Sequence, residues 1–523
     1  MNAIIMAAGT ASRFFPISEE TPKGLLDVRG EILIERQIRQ LREAGISDIT
    51  VVTGYKAEQF AYLREKFGVS LVHNEDYNRY NNSSSLVRVA DRLGDTFLCC
   101  SDHYFARNVF LDYDGESYYA TRYSDGPTDE WCCETGEGDR ITAVTVGGRD
   151  VWYMAGHACF NAAFSARFAP LLREAYAADE SVRQGYWEDL FIRHLDELPM
   201  KIRRYGADEI HEFDSLAELR QFDPSWWDDT RCRLLKTICR ALGCRERDFE
   251  GFARIGGMSN KNYRIRFAGR DYVLRVPGYC SGEMVDRANE EFNARVASGL
   301  GVTPAVRYFE AESGIKLADF IHEAETLHAD TILEDGILDQ IADIYRRVHG
   351  AATPLRNRFD IFAEMEKYDR LIARVGATMY PGWEEVRPRI MALRERLVAL
   401  GSVLTPCHND AVPENFVKAG DGRLWLIDWE YSGMNDPMAD FAALFIENDF
   451  PEERQAYVLG KYFDGPVPAG VHERILCFEI LWDALWAQWT VIKEAGDDDF
   501  GTYGMDRYRR ALDNLNKLEH HGY

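Results

Sequence analysis

Several features are missing from this chain, and each absence excludes something. No long Lys/Arg run occurs: 61 basic residues stand against 86 acidic ones, a formal net charge of −25. Such a chain repels a phosphate backbone, so nucleic acid is not expected as a partner. No CxxC pair occurs among the eleven cysteines, and no Cys/His spacing suits a zinc site. With an odd number of cysteines and the adjacent pairs Cys99-Cys100 and Cys132-Cys133, thiols in a reducing compartment are expected. No apolar run approaches about 18 residues, so no membrane span is expected. The apolar start MNAIIMAAG lacks a basic flank and is too short for a secretory signal. A cytoplasmic protein is therefore expected. Internal repeats and low-complexity tracts are absent as well.

What is present is globular: 46% hydrophobic and 28% charged residues in 523 positions, enough for two or three domains. The first half alternates strand and helix. NAIIMAAG reads as a buried parallel strand, Leu33 to Ala44 as an amphipathic helix, DITVVTGY and TFLCCSDHYF as further strands. That order predicts an α/β domain around a mostly parallel, Rossmann-like sheet, with ligands beyond the strand ends, where Gly9, Gly54 and Asp102 fall. The pattern changes at FDPSWWDDTRC, which places a boundary near residue 225 and gives domains 1–224 and 225–523. Beyond it, Phe252 to Val276 reads as a hairpin turning at AGRD, and Asp286 to Leu300 as a helix. NFVKAGDGRLWLIDW reads as strand-turn-strand within a mainly helical remainder, an α+β, two-lobed domain.

Ala7-Ala8-Gly9-Thr10-Ala11-Ser12-Arg13 ends the first strand in small residues, which lets backbone N–H groups approach phosphate oxygens. Arg13 and Lys23, the latter in Thr21-Pro22-Lys23, supply cations for a leaving pyrophosphate. Asp102 and Asp214, far apart in sequence, could meet across strand ends and hold Mg²⁺. Asp214-Ser215 before AELRQF also suits a helix N-cap. AAG, Arg13, Pro16 and Pro22-Lys23 in this order resemble the opening signature of sugar-phosphate nucleotidyltransferases, with Ala11 where that family usually has glycine. HNEDY at 73–77 and YNNSSSL at 80–86 resemble bacterial CTP:phosphocholine cytidylyltransferases. The resemblance spans residues 1 to about 222. It implies that Lys23 and Arg13 are catalytic and that Ala8, Gly9, Thr10, Ala11, Asn82 and Ser84 bind the nucleotide. It also implies Asp102 and Asp214 as metal ligands. Trp131, and Tyr186-Trp187 beside Glu188-Asp189, pair rings with acids, the match for a quaternary ammonium.

The second half carries His408-Asn409-Asp410-Ala411-Val412-Pro413-Glu414-Asn415, then an apolar strand ending at Asp428. The HxDxxxxN spacing followed by a strand-end aspartate is kinase chemistry. Asp410 orients the hydroxyl of the acceptor, while Asn415 and Asp428 hold magnesium. Upstream, Gly256-Gly257-Met258-Ser259-Asn260 forms a turn able to cover phosphates, with Gly257, Ser259 and Asn260 facing the nucleotide. Arg275 stands where protein kinases keep a lysine, and Glu290 or Glu291 follows on the next helix to position it. GGMSN, VLRVPG, HNDAVPEN and IDWEYSG resemble choline/ethanolamine kinases over roughly residues 235–510. Asp428-Trp429-Glu430 replaces the protein-kinase DFG, and no activation loop is present. Glu430 and Tyr431, with Trp482 and Trp486 of the i, i+4, i+7 stripe ending at Trp489, are the candidate ammonium cage.

Together the two resemblances imply a kinase that makes phosphocholine from choline and ATP, followed by a transferase that joins it to CTP. CDP-choline and pyrophosphate would be the products. Ethanolamine in place of choline is the rival head group, and a non-catalytic sensor built from such domains the rival class. The oligomeric state is not legible.

Overall fold

A computed structural model describes residues 1–256, 260–277, 285–495 and 500–520. The chain forms two compact units, Met1–Arg247 and Asp248–Tyr523.

The first unit is built on a seven-stranded sheet. Its strand Asn2–Ala7, an interior strand with a parallel neighbour on each side, is all small or aliphatic after Asn2 and largely buried on both faces, as such a strand must be. Ile49–Thr53 and Thr96–Cys100 flank it in parallel, and Ser70–His73 adds a parallel edge beyond Ile49–Thr53. The helix Leu33–Glu43 turns Leu33, Ile34, Ile38 and Leu41 inward, the stripe expected of one amphipathic face. On the other side lies a long antiparallel hairpin, Tyr118–Thr135 with Ile141–Phe160, edged by Lys201–Tyr205 parallel to Tyr118–Thr135. This hairpin has no counterpart in the sequence reading. Its register slips at several bulges, so the period-2 alternation that marks a strand is interrupted.

A separate ribbon pairs His103–Phe105 with Ile210–Glu212, Glu212 opposite His103. It extends the chain just past Asp102 and brings the 210–214 segment back to the strand ends.

The composition shift near residue 225 is a turn inside the first unit, not its end. Trp226 is 1% exposed, and its indole donates to the Asp27 carbonyl at 3.1 Å. The helix Arg233–Leu242 starts on the Glu20 carboxylate, which accepts from the backbone N–H groups of Arg233 (2.7 Å) and Leu234 (2.5 Å). An acid at a helix N-terminus stabilises it through unpaired N–H groups and the helix dipole.

The second unit opens with a five-stranded antiparallel sheet in the order Phe249–Gly256, Asn260–Phe267, Arg270–Pro277, Ile315–Asp319, Val306–Glu310. The helix Arg287–Gly299 contacts its Val306–Glu310 edge. Helices make most of the rest. Among the described residues one of them, Val471–Glu494, is long and apolar enough to cross a membrane, contrary to the expectation from run length. About 72% of its apolar stretch is buried within the protein, against Ile361–Val375, Pro437–Glu447 and Tyr503–His520.

A chain cut after Arg247 is expected to melt cooperatively. One cut after Pro224 loses Trp226 and the Glu20-capped helix, and is expected to be about 3–5 kcal/mol less stable, the usual effect of deleting a buried tryptophan. Equal melting temperatures for the two fragments would contradict the boundary at 247.

Candidate active sites

In the first unit, Ala8, Gly9, Thr10 and Ala11 line a cleft of about 540 Å³ beyond the strand ends, with Lys23, Asn82, Ser85, Asp102 and Tyr186. Ala11 sits at φ 48°, ψ 44°, in the left-handed region. A side chain there costs roughly 1–2 kcal/mol, which is why glycine is the usual residue of such loops. Gly24 is needed for a different reason: a Cβ would lie 2.6 Å from Ser101 Oγ. Its absence lets Lys23 reach the end of the Thr96–Cys100 strand.

Lys23 Nζ stands 2.7 Å from Asp102 Oδ2 and 4.0 Å from Asp214 Oδ1, while Arg13 Nη1 lies 3.0 Å from the same Asp214 oxygen. The ribbon thus brings together the four charged residues singled out in sequence. Burial works against the Lys23 charge, but the charge and hydrogen bond of Asp102 outweigh it and raise its pKa. Burial likewise opposes ionisation of Asp102, yet Lys23 and His103 hold its carboxyl below the ordinary range.

Two neighbours were missed in sequence. Glu212 Oε2 is 3.5 Å from the fully buried His103 Nε2. Asp102, His103 and Glu212 lie close enough to share one cation. Only the ribbon pairing of 103 with 212 reveals them, and that pairing is non-local.

Other candidates split. Trp131 and Tyr186 meet edge to face with centroids 5.7 Å apart. Trp187 does not join them: it is 1% exposed, stacked on Tyr119 within the core. As the first residue of the helix Trp187–Arg193 it turns inward, while Tyr186 stays outside. Ser84 also leaves the cleft. It is fully buried, its hydroxyl donating to the Asn81 carbonyl (2.7 Å) and accepting from Asn74 (2.8 Å), and Ser85 lines the cleft instead. Asn82 reaches the cleft wall, with its amide oxygen accepting from Trp187 N–H (2.8 Å) and its amide nitrogen donating to Glu188 (3.2 Å). Burial pushes the Glu188 carboxyl up to about 7, despite the hydrogen bonds from Asn82 and Tyr119.

In the second unit, Arg275 grips Glu290 with both guanidinium nitrogens, and Glu291 instead pairs with Arg295. Arg287 also binds Glu290 (2.7 Å), and Lys316, opposite Arg275 in the sheet, lies 3.5 Å from it. Burial works against ionisation of Glu290, but these cations hold its carboxyl down at about 2. Glu430 Oε1 accepts from Arg287 (2.6 Å), Arg275 (3.1 Å) and Asn260 (3.0 Å). Glu430 is therefore committed to these cations rather than to an ammonium cage. Gly257 and Ser259 lie outside the described residues.

Asp410 follows the strand Thr405–Cys407, and Asn415 donates to both its carbonyl (2.9 Å) and its Oδ2 (3.0 Å). The fully buried Asp440 holds the loop, accepting from the backbone N–H groups of His408 (2.9 Å) and Asn409 (2.6 Å). Burial, then the charges of Asp428 and Glu447, raise the Asp410 pKa well above the usual carboxylate range. Asp428 is pushed up to about 6, by burial first and Glu430 second.

The aromatic stripe divides. Trp482 is 1% exposed and donates to the Ala439 carbonyl at 2.9 Å, so it is core and not cage. Trp486 stacks on Trp482 and meets Tyr431 edge to face at 5.7 Å. Glu447, at the end of the helix Pro437–Glu447, is held by Arg507 and lies near enough to raise the Asp410 pKa. Asp483, the residue after Trp482, is tied to Arg507 (3.1 Å) and Arg510 (2.7 Å).

A family model described as choline/ethanolamine kinase matches residues 253–459, and one described as a MobA-like NTP transferase domain matches residues 3–185. Protein LicA of Haemophilus influenzae is 30% identical over 273 residues, covering 51% of this chain and 80% of that protein. Choline-phosphate cytidylyltransferase of Streptococcus pneumoniae is 34% identical over 223 residues, covering 43% of this chain and 97% of that protein. The chain belongs to both families. A third relative, 2-aminoethylphosphonate cytidylyltransferase of Lancefieldella rimae, is 38% identical over 226 residues, 42% of this chain and 92% of that protein.

Kinases and nucleotidyltransferases of these families generally use Mg²⁺. Both units have atoms that suit it. Oδ1 of Asp102 in the transferase unit and Oδ1 of Asp428 in the kinase unit are buried, and neither makes a hydrogen bond among the described residues. Hard carboxylate oxygens of this kind are magnesium's preferred protein ligands.

Trp482→Ala is expected to destabilise the kinase unit by about 3–5 kcal/mol in urea denaturation, and Trp486→Ala by clearly less. Equal losses would contradict the division of the stripe.

Proposed function

We propose that the kinase unit phosphorylates choline with ATP and that the transferase unit passes CMP from CTP to the resulting phosphocholine, releasing pyrophosphate. The observation that carries this reading is the presence, in one chain, of the Lys23–Asp102–Asp214 cluster and the Asp410–Asn415–Asp428 cluster. The chemistry of one unit then yields the substrate of the other. Relatives named for choline phosphate, rather than ethanolamine, support the head group.

In the kinase unit the choline hydroxyl attacks the γ-phosphorus of ATP. An O–P bond forms, the β–γ bridging P–O bond breaks, and ADP leaves. Asp410, made more basic by burial and its acidic neighbours, accepts the hydroxyl proton. Arg275, fixed by Glu290, presents positive charge to the nucleotide phosphates. Asp428 and Asn415 would hold magnesium, which neutralises phosphate charge when bound. Tyr431 and Trp486 offer ring faces to the trimethylammonium group.

In the transferase unit a phosphate oxygen of phosphocholine attacks the α-phosphorus of CTP, and the α–β bridging bond breaks. Lys23 and Arg13 neutralise the charge that develops on the departing pyrophosphate. Asp102, through its buried Oδ1, and Asp214 would hold magnesium, which would neutralise phosphate charge. Trp131 and Tyr186 are the ring pair available to the head group. We place the division between the two activities at the unit boundary after Arg247.

Asp410→Asn is expected to lower choline phosphorylation by about 10²–10⁴-fold while CMP transfer to added phosphocholine stays within twofold. Lys23→Ala is expected to do the converse, with a loss of about 10²–10³-fold in transfer. Silencing of both activities by either substitution in folded protein would sink the two-site reading. Presenting the transferase unit with phosphocholine, phosphoethanolamine and 2-aminoethylphosphonate tests the acceptor. Phosphocholine is expected to give the highest kcat/KM, and a preference for the phosphonate would break the link between the two steps.

A further inference from the structure

We propose that Asn409 is a positioning residue for the kinase reaction, a latch that fixes the loop carrying Asp410 against the segment carrying Asp428 and Tyr431. The inference rests on the kinase reading above and assigns a role to the middle residue of His408-Asn409-Asp410.

The backbone gives the first observation. Asn409 has φ 66°, a left-handed conformation that only glycine, asparagine and aspartate adopt readily. Asp440 secures this kink by accepting from the N–H of Asn409 at 2.6 Å and of His408 at 2.9 Å. Asp428, at the other edge of the site, is likewise left-handed at φ 62°. Two kinked aspartate-bearing segments must therefore be kept in register.

The side chain gives the second. Asn409 is 1% exposed, yet its amide makes two bonds to the opposite segment. Its nitrogen donates to the Tyr431 carbonyl at 3.1 Å, and its oxygen accepts from the Asn435 side chain at 2.9 Å. Tyr431 lies three residues beyond Asp428 and is the ring that meets Trp486. Asn435 belongs to the strand Gly433–Asn435, which pairs with Thr405–Cys407 just before His408. The amide thus closes the end of that ribbon.

The obvious substitutes do not meet these demands. Glycine takes the backbone shape without either bond. Aspartate takes the shape and can accept from Asn435, but has no hydrogen for the Tyr431 carbonyl. Alanine fails both requirements. Among these, asparagine alone supplies a left-handed backbone, a donor and an acceptor in a buried position, where an unpaired polar group is costly.

The consequence is chemical because Asp410 and Tyr431 serve opposite ends of one acceptor molecule. Asp410 meets the hydroxyl and Tyr431 the ammonium, so the distance between them sets whether the hydroxyl lies in line with the γ-phosphorus. A misplacement of about 1 Å can cost roughly 10²-fold in rate.

The test uses the full chain with ATP, choline and Mg²⁺, and compares Asn409→Gly with Asn409→Asp. Asn409→Gly loses both bonds and is expected to lower kcat by about 10- to 100-fold and to raise the choline KM. Asn409→Asp keeps the Asn435 bond and loses the one to Tyr431. It is expected to raise the choline KM about fivefold or more, with kcat falling far less than in the glycine variant. In both, the ATP KM and CMP transfer to added phosphocholine are expected to stay within twofold of wild type. Values for choline KM and kcat within twofold of wild type in both variants would overturn the proposal. Losses that follow only the folded fraction, read from melting curves, with unchanged KM for both substrates, would overturn it equally. If Asn409→Gly does not fold, the choline KM of Asn409→Asp decides, and an unchanged value or failure of both variants to fold rejects the latch. Failure of wild-type protein to phosphorylate choline would reject the kinase reading instead, which the wild-type control reads separately.

Discussion

Carboxylates held close together and out of water repel one another, and each catalytic cluster depends on cations that answer this repulsion. In the transferase unit Lys23 bonds Asp102 and stands near Asp214, with Arg13 on the outer side. In the kinase unit Arg275, Arg287 and Lys316 gather around Glu290, and the two arginines extend to Glu430. Removing one member of the buried Glu290 set is expected to cost about 3–5 kcal/mol, because the remaining charge is left without a partner. The folds can be understood as means of delivery. A two-stranded ribbon carries the 210–214 segment to Asp102, and a sheet register sets Lys316 opposite Arg275.

The two clusters differ in what is left over. In each, one carboxylate oxygen stays buried without a hydrogen bond among the described residues, Oδ1 of Asp102 and Oδ1 of Asp428. The Asp102 carboxyl is held below its ordinary range by Lys23 and His103, whereas burial and Glu430 push Asp428 up to about 6. A lysine already beside its carboxylate suits a site that must grip a departing pyrophosphate. A strained aspartate among acids suits a site completed by a divalent cation. The carboxyl of Asp410, raised by burial and then by Asp428 and Glu447, is subject to the same balance of charge.

Legibility followed locality. HNDAVPEN and the strand-end Asp428 lie within about twenty residues, so the roles proposed for them could be read before any fold was known. Lys23 and the Ala8–Ala11 loop were legible because they open the chain next to a strand of unmistakable composition. His103, Glu212 and Glu447 were not, since each acquires its neighbours only through pairing or packing across long sequence separations. The 118–160 hairpin was hidden by bulges that spoil the alternation of its side chains. Aromatic residues misled: Trp187 and Trp482 look like pocket walls beside acids but are buried in the core, whereas Tyr186, just before Trp187, lines the cleft, and Trp486, one turn beyond Trp482, is only partly buried and meets Tyr431. At residue 225, proline and acids marked a turn, and the burial of Trp226 kept the following helix with the first unit.

The central claim is that one chain carries out two consecutive steps. The most direct measurement is ³¹P NMR of wild-type protein mixed with choline, ATP, CTP and Mg²⁺, with no phosphocholine supplied. The account predicts that a phosphomonoester signal appears first and is replaced by the diester pyrophosphate signals of CDP-choline, alongside ADP and inorganic pyrophosphate. Accumulation of phosphocholine with CTP left intact, or no consumption of ATP in the presence of choline, would contradict it.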